Sequence, residues 1–280
     1  MHGSIQSQAQ ISFAYQSKTE RTFLAKRQAG GLCSLSKPYW NELGDTGVLS
    51  LQLVNPTAGL FSGDSMQMNI HVGAKAQAAL TSPSATRFHT MPHGQARITQ
   101  QFTLEENTWL DYWPEIIIPQ RDSDVIQTTK INLTPSSNIV FFDSLASGRI
   151  AHEENYQFRR LETRLEIYEG ETLLAKERCV LAPGENRTNR WPLEMPGWDN
   201  CYYGAIWITS DQAEEIIKDL QSQPSLTDES TQIGISLLAD RLGVIRILAP
   251  SSLELKKTAI KLRQLIESHL PLLKLNFRKL

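Results

Sequence analysis

Apolar and polar residues alternate with a period of two over long stretches of the first two thirds of the chain. The alternation is clearest at residues 66–72, where methionine, isoleucine and valine alternate with glutamine, asparagine and histidine. Residues 161–168 alternate in the same way, and Gly170 follows them at a position suited to a turn. A period of two places neighbouring side chains on opposite faces of a strand, with one face buried and the other in water. The pattern therefore predicts a β-strand at each place.

Further strands are predicted where β-branched and aromatic residues form short runs between turn-forming residues. These runs span residues 48–54, 97–104, 109–113, 125–133 and 139–142. Strands therefore recur about every ten to fifteen residues, and no convincing helical segment precedes about residue 210. A sandwich, a barrel and a β-solenoid all fit this spacing, because no repeat of fixed length is visible in the sequence.

The last third of the chain adds two predicted helices. Asp211 and Glu214 form a capping-box pattern before a short helix, which Pro224 should end. Ser251 and Glu254 form a second such pattern before a longer helix with an apolar stripe. Helical structure is therefore expected only near the C-terminus.

Three predicted strands accompany these helices, at residues 202–209, 232–238 and 244–248. We therefore expect a mainly β fold of stacked or helically twisted sheets, similar to a β-solenoid, with two C-terminal helices. Residues 1–280 should form a single domain. Within it, we expect residues 1–18 to be a flexible N-terminal extension and residues 201–270 to be a mixed α/β part packed on the β region.

The charge balance limits the classes of partner. The sequence has 28 basic and 30 acidic residues, and its net charge of -2 gives no overall field that would attract a phosphate backbone. No apolar run approaches the length that spans a bilayer, and the first ten residues lack the features of a signal peptide. We therefore expect a cytoplasmic protein that binds neither nucleic acid nor membrane.

Few residues suggest chemistry by themselves. The cysteines are odd in number and widely spaced, which favours free, buried thiols at Cys33, Cys179 and Cys201. His89 and His93 have the spacing of two ligands on one helical turn, but a proline between them interrupts any helix. Two interpretations of this pair stay open. Either the histidines lie in a loop without a role, or they make a weak contact with nickel, a metal that imidazole binds. No Gly-x-Ser-x-Gly elbow is present.

A glycine-containing segment at residues 55–64 lies between two predicted strands. Gly59 and Gly63 permit positive φ, and Asp64 can turn its carboxylate toward the turn. The lysine and hydroxyl residue of a phosphate-binding loop are missing. From these residues alone, a structural turn is favoured over a ligand site.

Four segments together match a known family in order and spacing. Residues 51–64 join an apolar strand to a loop that ends in Gly-Asp, and residues 78–88 read AALTSPSATRF. Residues 110–115 read LDYWPE, and residues 147–154 contain Ser-Gly-Arg followed by two glutamates. These segments resemble the urease accessory protein UreD (also called UreH) family, over roughly residues 20–270. The sequence departs from the family pattern at Ala58, where glycine is usual, and at residues 150–152.

The resemblance implies a largely β scaffold that is not an enzyme and holds no tightly bound cofactor. Family members bind apo-urease and, with UreF and the GTPase UreG, support GTP-dependent nickel insertion into the urease active site, through a channel in UreD. A channel needs groups that bind the ion weakly and in succession, since a tight site would trap it.

The matched segments also supply the candidate residues. Asp64, Glu115 and Glu153 are the expected nickel contacts, and Arg149 is expected to order carboxylates. Eight further positions are expected to shape the loops around them: Pro56, Gly59, Gly63, Thr81, Pro83, Thr86, Pro114 and Gly148.

Two other functions stay open. Residues 183–200 lack any period, and Trp191 and Trp198 in that segment could stack on a carbohydrate or a peptide, as in a β-rich ligand-binding module. An unrecognised β hydrolase is the other alternative, although no nucleophile and base can be assembled from the sequence.

Overall fold

Two large β-sheets form the body of the protein. The computed structural model describes residues 3–40, 47–183, 202–223, 226 and 230–274. In chain order, the strands within these residues are β1 (Gln6–Gln16), β2 (Arg21–Gln28), β3 (Ser34–Leu35), β4 (Tyr39–Trp40), β5 (Leu49–Val54), β6 (Ser65–Val72), β7 (Gln77–Thr81), β8 (Thr86–Phe88), β9 (Ala96–Leu104), β10 (Trp109–Trp113), β11 (Ile117–Pro119), β12 (Asp124–Leu133), β13 (Asn138–Ala146), β14 (Arg160–Glu169), β15 (Thr172–Leu181), β16 (Tyr202–Thr209), β17 (Gln232–Ala239) and β18 (Leu242–Ala249).

The chain alternates between the two sheets from β5 to β14. The first sheet has the order β15-β14-β12-β9-β6-β1-β2, and the second has the order β17-β18-β16-β13-β10-β7-β5-β3, with β4, β8 and β11 at its margin. Within each sheet, the strands of successive coils lie side by side and parallel. This is the arrangement of a β-solenoid, so the predicted class of stacked, solenoid-like sheets is confirmed.

The inner faces of the two sheets enclose the main apolar core. Ile70, Phe102 and Ile131 lie in one register on β6, β9 and β12, and all three are buried. The Phe102 ring packs edge-on against Tyr112 and Phe141 of the second sheet, with centroids 4.9 and 5.6 Å away. Burial of each such apolar side chain contributes roughly 1.5–3 kcal/mol. The period of two at residues 66–72 therefore reflects one face turned toward this core.

Two helices, α1 (Ala213–Ser222) and α2 (Ser252–Glu267), cover the opposite face of the second sheet. Their apolar residues form a second core with residues of β13, β16 and β18. The members that lie on the helices include Ile216, Ile217, Leu220, Leu255, Ala259, Leu262 and Ile266. The C-terminal helices and strands thus pack on the same sheet that the solenoid coils build.

One of the two predicted helix caps is confirmed and the other is wrong. The Ser251 hydroxyl accepts a hydrogen bond from the Glu254 N–H at 3.2 Å, as the capping pattern predicts. At α1, Gln212 occupies the cap position without a side-chain bond, while Asp211 pairs with Arg241 (Oδ1 to Nε, 2.6 Å). The helix begins one residue later than predicted, and the ion pair draws Asp211 away from its first turn. Pro224 lies outside the described residues.

The N-terminal segment differs from the expected flexible extension. Gln6–Gln16 forms β1, which lies between β6 and β2, and Ala9, Ile11 and Phe13 are buried in the main core. The glutamines and serines between them conceal the alternation in the sequence. Among the described residues before β16, the helical structure is one 3-10 turn at Ile150–His152. None of the described helices combines the length and apolarity needed to cross a bilayer.

Candidate functional site

A line of polar side chains crosses the apolar space between the two sheets. Gln100 on β9 donates from Nε2 to the Tyr112 hydroxyl (3.0 Å) and accepts at Oε1 from the Thr129 hydroxyl (2.9 Å). Gln127 on β12 donates from Nε2 to Asp143 Oδ2 at 3.4 Å. Parallel stacking places Gln100 and Thr129 in register on neighbouring strands. We call Gln100, Tyr112, Gln127, Thr129 and Asp143 the polar core cluster.

The first of two cavities adjoins this cluster. It has a volume of about 70 Å³ and is lined by Tyr112 and Asp143, by the sulfur-bearing side chains of Cys33 and Met66, and by Glu115. One water molecule needs roughly 10–15 Å³ of such space. The first cavity is therefore large enough to hold small polar molecules such as water and to permit motion of the side chains that line it.

A second cavity, of about 20 Å³, lies beyond Asp143 and is lined by Asp143, Glu177, Tyr203 and Trp207. Arg246 stands against it, pairs with Glu177, and donates from Nη1 to the Tyr203 hydroxyl at 2.6 Å. The Arg246 side chain is 44% exposed, so it extends from the lining residues Glu177 and Tyr203 toward the molecular surface. Asp143 lines both cavities and forms the boundary between them.

The Asp143 carboxyl group is electrostatically unusual. Burial raises its pKa from 3.8 to about 6, and the nearby Glu177 carboxylate acts in the same direction. A hydrogen bond from the Ser144 backbone N–H and one from Gln127 oppose the rise without cancelling it. A desolvated carboxyl group with a pKa near neutrality exchanges its proton readily and gains strongly from a nearby cation.

Glu115 forms the boundary between the first cavity and a wide groove beneath α2. This groove has a volume of about 1050 Å³ and shares Ser82, Pro114 and Glu115 with the first cavity. The Glu115 N–H donates to the Ser82 hydroxyl at 2.8 Å, and its carboxylate pairs with Lys256 Nζ on α2 at 2.9 Å. The groove, Glu115, the first cavity, Asp143, the second cavity and Glu177 follow one another in this order. We call this series of features the polar passage.

A buried ion pair fixes α2 at this groove. Asp111 on β10 is fully buried and accepts from Arg263 on α2, with Nη1 and Oδ1 3.0 Å apart. The guanidinium group also lies 4.8 Å from the centre of the Trp113 ring and donates to the Leu273 carbonyl at 3.1 Å. The ion pair and the contact with the Trp113 ring thus hold the helix beside the strand that leads to Glu115, and the bond to Leu273 fixes the segment that follows the helix.

Comparison with known proteins identifies the family. The UreD urease accessory protein family model matches residues 7–276. The chain is 34% identical to urease accessory protein UreD of Opitutus terrae over 88% of this chain and 89% of the relative. It is also 34% identical to UreD of Halalkalibacterium halodurans (57% and 58% covered) and 33% identical to UreH of Helicobacter hepaticus (51% and 57% covered). The chain belongs to the UreD family. The resemblance of the four sequence segments is therefore confirmed.

The first UreD-family segment forms a closed turn around Asp64. Its carboxylate is buried and accepts from the N–H groups of Ile5 (2.7 Å) and Phe61 (2.8 Å). Gly59 has φ +147°, and a Cβ there would overlap the carbonyl oxygen of Arg87. Gly63 also has a positive φ. Pro56 lies at the start of the loop and is exposed. Asp64 therefore fastens the N-terminal strand to this loop and does not line the polar passage.

The second and third segments build the walls of the passage near Glu115. The Thr81 hydroxyl donates to the Trp113 carbonyl at 2.7 Å and joins β7 to β10. Thr86 and Pro114 line the first cavity, and Pro83 lines the groove. These positions lie around Glu115, one of the three predicted carboxylates.

The fourth segment is a compact turn held by one ion pair. Arg149 Nε donates to Glu154 Oε2 at 2.7 Å, and the Arg121 N–H donates to the same oxygen at 3.2 Å. The hydrogen bond from Arg149 holds the pKa of Glu154 below its usual value. Gly148 has φ +140° and its backbone is so close to the Glu154 carbonyl that a Cβ would overlap it. Glu153 is exposed with φ +58°, outside the lining of the passage.

The predicted histidine pair lies in loop contacts. The His89 ring stacks on Phe61 with centroids 4.3 Å apart, and its Nε2 is 3.0 Å from the Ala58 carbonyl oxygen. The His93 carbonyl accepts from the Ser62 hydroxyl. Within the part of the chain that the structure describes, no group of three or more His, Cys, Asp or Glu residues is placed to hold a metal ion.

Cys33 and Cys179 are free, and burial raises the pKa of each thiol to about 11. Trp191, Trp198 and Cys201, like Pro224, lie outside the described ranges. The stacking role of the two tryptophans therefore stays a prediction.

The sequence reasoning missed the central residues of the passage. Asp143 and Glu177 lie within strands, at positions whose neighbours give no sign of a cavity. One signal was present for Asp143, because a carboxylate followed by serine inside an apolar strand breaks the core pattern at a position that faces inward.

Proposed function

We propose that this protein is a non-enzymatic scaffold that binds apo-urease in the cytoplasm. With UreF-like and UreG-like partners, it supports GTP-dependent insertion of nickel into the urease active site. The observation that carries the proposal is the polar passage, in which the groove and the first cavity share Glu115, the two cavities share Asp143, and Glu177 lines the second cavity.

The spacing of its carboxylates suits transfer of a divalent cation. Glu115, Asp143 and Glu177 occur singly along the passage, separated by amide and hydroxyl groups of the polar core cluster. Oxygen ligands of this kind bind a borderline cation such as nickel, and a single carboxylate binds it weakly enough to release it. Asp143 is the only one of the three in both cavities, so we assign it the central transfer step.

The groove beneath α2 is the proposed docking place of the UreF-like partner. It opens directly onto Glu115, and its lining combines apolar side chains such as Trp113, Ile116 and Leu253 with the charged Lys256. A partner seated there would deliver the cation to the first carboxylate without exposing it to bulk water. Apo-urease would then dock at the end marked by Glu177 and Arg246.

The test is nickel loading after co-expression with cognate urease subunits and the accessory proteins. Asp143→Leu replaces the carboxylate with a larger, apolar side chain that cannot bind a cation, so we expect several-fold less nickel per urease active site, with the partners still co-purifying. Glu106→Gln, in the exposed turn between β9 and β10 and outside the lining of the passage, is the matched control and should load normally. Full nickel content in Asp143→Leu would refute transfer through Asp143, and failure to co-purify with urease at low salt would refute the scaffold role.

The three carboxylates predicted from the family segments need separate variants. Glu115 lies at the mouth of the passage, so Glu115→Ala should lower nickel loading while assembly survives. Nickel contact by Asp64 or Glu153 stays a prediction. Urease co-expressed with the double variant Asp64→Ala, Glu115→Ala should contain less nickel than urease co-expressed with wild type. Comparison with each single variant separates a loss of transfer from a loss of stability caused by opening the Asp64 turn.

A further inference from the structure

The outer face of the first sheet carries a concentrated positive charge. Parallel pairing aligns the outward residues of β9, β12, β14 and β15 in rows across the sheet. Six cations lie on this face, namely Arg97, Lys130, Arg160, Arg164, Lys176 and Arg178. The carboxylates in register with them are Asp124, Glu162 and Glu166, which leaves a net charge of +3 on one face of a chain whose overall charge is -2. We call these nine residues the arginine face.

Glu162 organises the centre of the arginine face. Its side chain is 0% exposed, although it points outward, because Arg160, Arg164 and Arg178 cover it. Arg164 Nε and Arg178 Nε donate to Glu162 Oε1 at 2.6 and 2.7 Å, and Arg160 pairs with Oε2. Burial alone would raise the pKa of Glu162, but these three hydrogen bonds outweigh it and lower the pKa to about 2. The carboxylate is therefore ionised and fully occupied by the guanidinium groups.

The three guanidinium groups keep donors for a partner. Their side chains remain 32%, 46% and 57% exposed, and each group has five N–H donors, of which Glu162 takes only one or two. Because Glu162 already restricts their rotamers, less conformational entropy is lost when they bind a second acceptor. Neighbouring strands are about 4.8 Å apart, so the cations form a regular array.

We propose that the arginine face docks a protein partner whose contact surface is rich in aspartate and glutamate. Arginine binds carboxylates with two parallel hydrogen bonds, and the flat sheet suits a flat protein surface. The partly exposed carboxylate of Glu166, which pairs with Lys176, lies among the cations, as does the apolar side chain of Val180, which is in register with Glu162. Both features fit a mixed protein interface better than a continuous run of phosphates.

The first experiment measures binding of a fluorescein-labelled twelve-residue polyglutamate peptide by anisotropy. We expect salt-sensitive binding to the full chain, and at least a tenfold weaker affinity for the double variant Arg164→Glu, Arg178→Glu. The matched control reverses two exposed helix cations, Lys218→Glu with Lys257→Glu, and should bind as wild type. If reversal beside Glu162 prevents folding, Arg97→Glu with Lys130→Glu tests the same face, because neither residue contacts Glu162.

Two results of the binding measurements would overturn the proposal. One is equal peptide affinity in the wild type and in both face variants. The other is tighter binding of a twelve-nucleotide single strand, or of vesicles with anionic lipid, than of the peptide, since that would assign the face to phosphates. In co-expression with urease subunits and accessory proteins, Arg164→Gln with Arg178→Gln should reduce recovery of one partner at about 150 mM salt, where the Debye length is roughly 8 Å. Equal recovery of every partner would likewise exclude a docking role.

Discussion

Replacing Asp143 by asparagine should make the protein more stable at neutral pH and less able to deliver nickel. Burial raises the pKa of this carboxyl group from 3.8 to about 6, so ionisation at neutral pH opposes folding. Asparagine has nearly the same shape and cannot ionise. A group retained for transfer at the expense of stability is expected at a functional site.

The size of the effect follows from proton linkage. Between pH 4 and pH 6 the folded state of the wild type binds more protons than the unfolded state, so its stability falls as pH rises through this window. One pKa unit corresponds to 1.36 kcal/mol, so a rise from 3.8 to about 6 costs at most about 3 kcal/mol once the group is ionised. The accessible part of Asp143 faces the two cavities, and solvation there would reduce this cost to about 2 kcal/mol.

The assay is urea unfolding of both proteins at pH 4 and at pH 7.5. The difference between Asp143→Asn and wild type should grow by about 2–3 kcal/mol in favour of the variant as pH rises, whatever constant offset the altered hydrogen bonds add. Asp122→Asn, an exposed carboxylate on a positive-φ turn, is the control and should show no such growth. A difference that is independent of pH, or that grows in favour of the wild type, would refute the electrostatic account of Asp143.

Three further substitutions test the supports of the passage. Gly148→Ala should destabilise by more than about 3 kcal/mol in thermal unfolding, because of its positive φ and the overlap of a Cβ with a carbonyl, whereas Gly170→Ala, with open space around it, should cost about 1 kcal/mol. Arg263→Met should cost about 3–5 kcal/mol by leaving Asp111 buried without its guanidinium partner, and adding Asp111→Asn should recover most of that loss. Asp64→Ala should cost about 1–3 kcal/mol, since two partly buried N–H groups lose their acceptor, and unchanged urea midpoints would contradict this expectation.

The strands were predictable where apolar residues alternate with polar ones or form short continuous runs. Residues 109–113 and 202–209 are strands with the predicted bounds, because their aromatic and β-branched residues form such runs and are buried on both faces of the sheet. The prediction failed at β1 and β15, whose inward positions include Ser7, Glu177 and Cys179 among the apolar ones. Their pairing is decided by neighbouring strands, which no local pattern encodes. The choice of a solenoid over a sandwich also depends on parallel pairing between coils.

The central residue of the candidate site also could not be predicted from the local sequence pattern. The predicted strand at residues 139–142 ends where β13 continues through Asp143 and Ser144 to Ala146. Those two polar residues resemble the end of a strand in the sequence, yet Asp143 faces a cavity and Ser144 is buried. The family segments located Glu115 because its loop sequence is distinctive. Asp143 lies inside a strand, and only the three-dimensional structure shows that its position faces a cavity that can hold a polar side chain.

The solenoid architecture explains how one chain can hold a polar route inside an apolar core. Each coil adds one residue to every inward row, so a polar residue in one coil gains a hydrogen-bonding neighbour 4.8 Å away, on average, in the next. Gln100 and Thr129 satisfy each other in this way, and Gln127 reaches across to Asp143 on the second sheet. Buried polar groups that are mutually hydrogen-bonded cost little, whereas isolated ones would be expelled. The hydrogen bonds among the amides and hydroxyls thus offset the free-energy cost of burying these groups. The electrostatic cost that remains is that of ionising the buried Asp143, the group whose charge the proposed transfer uses.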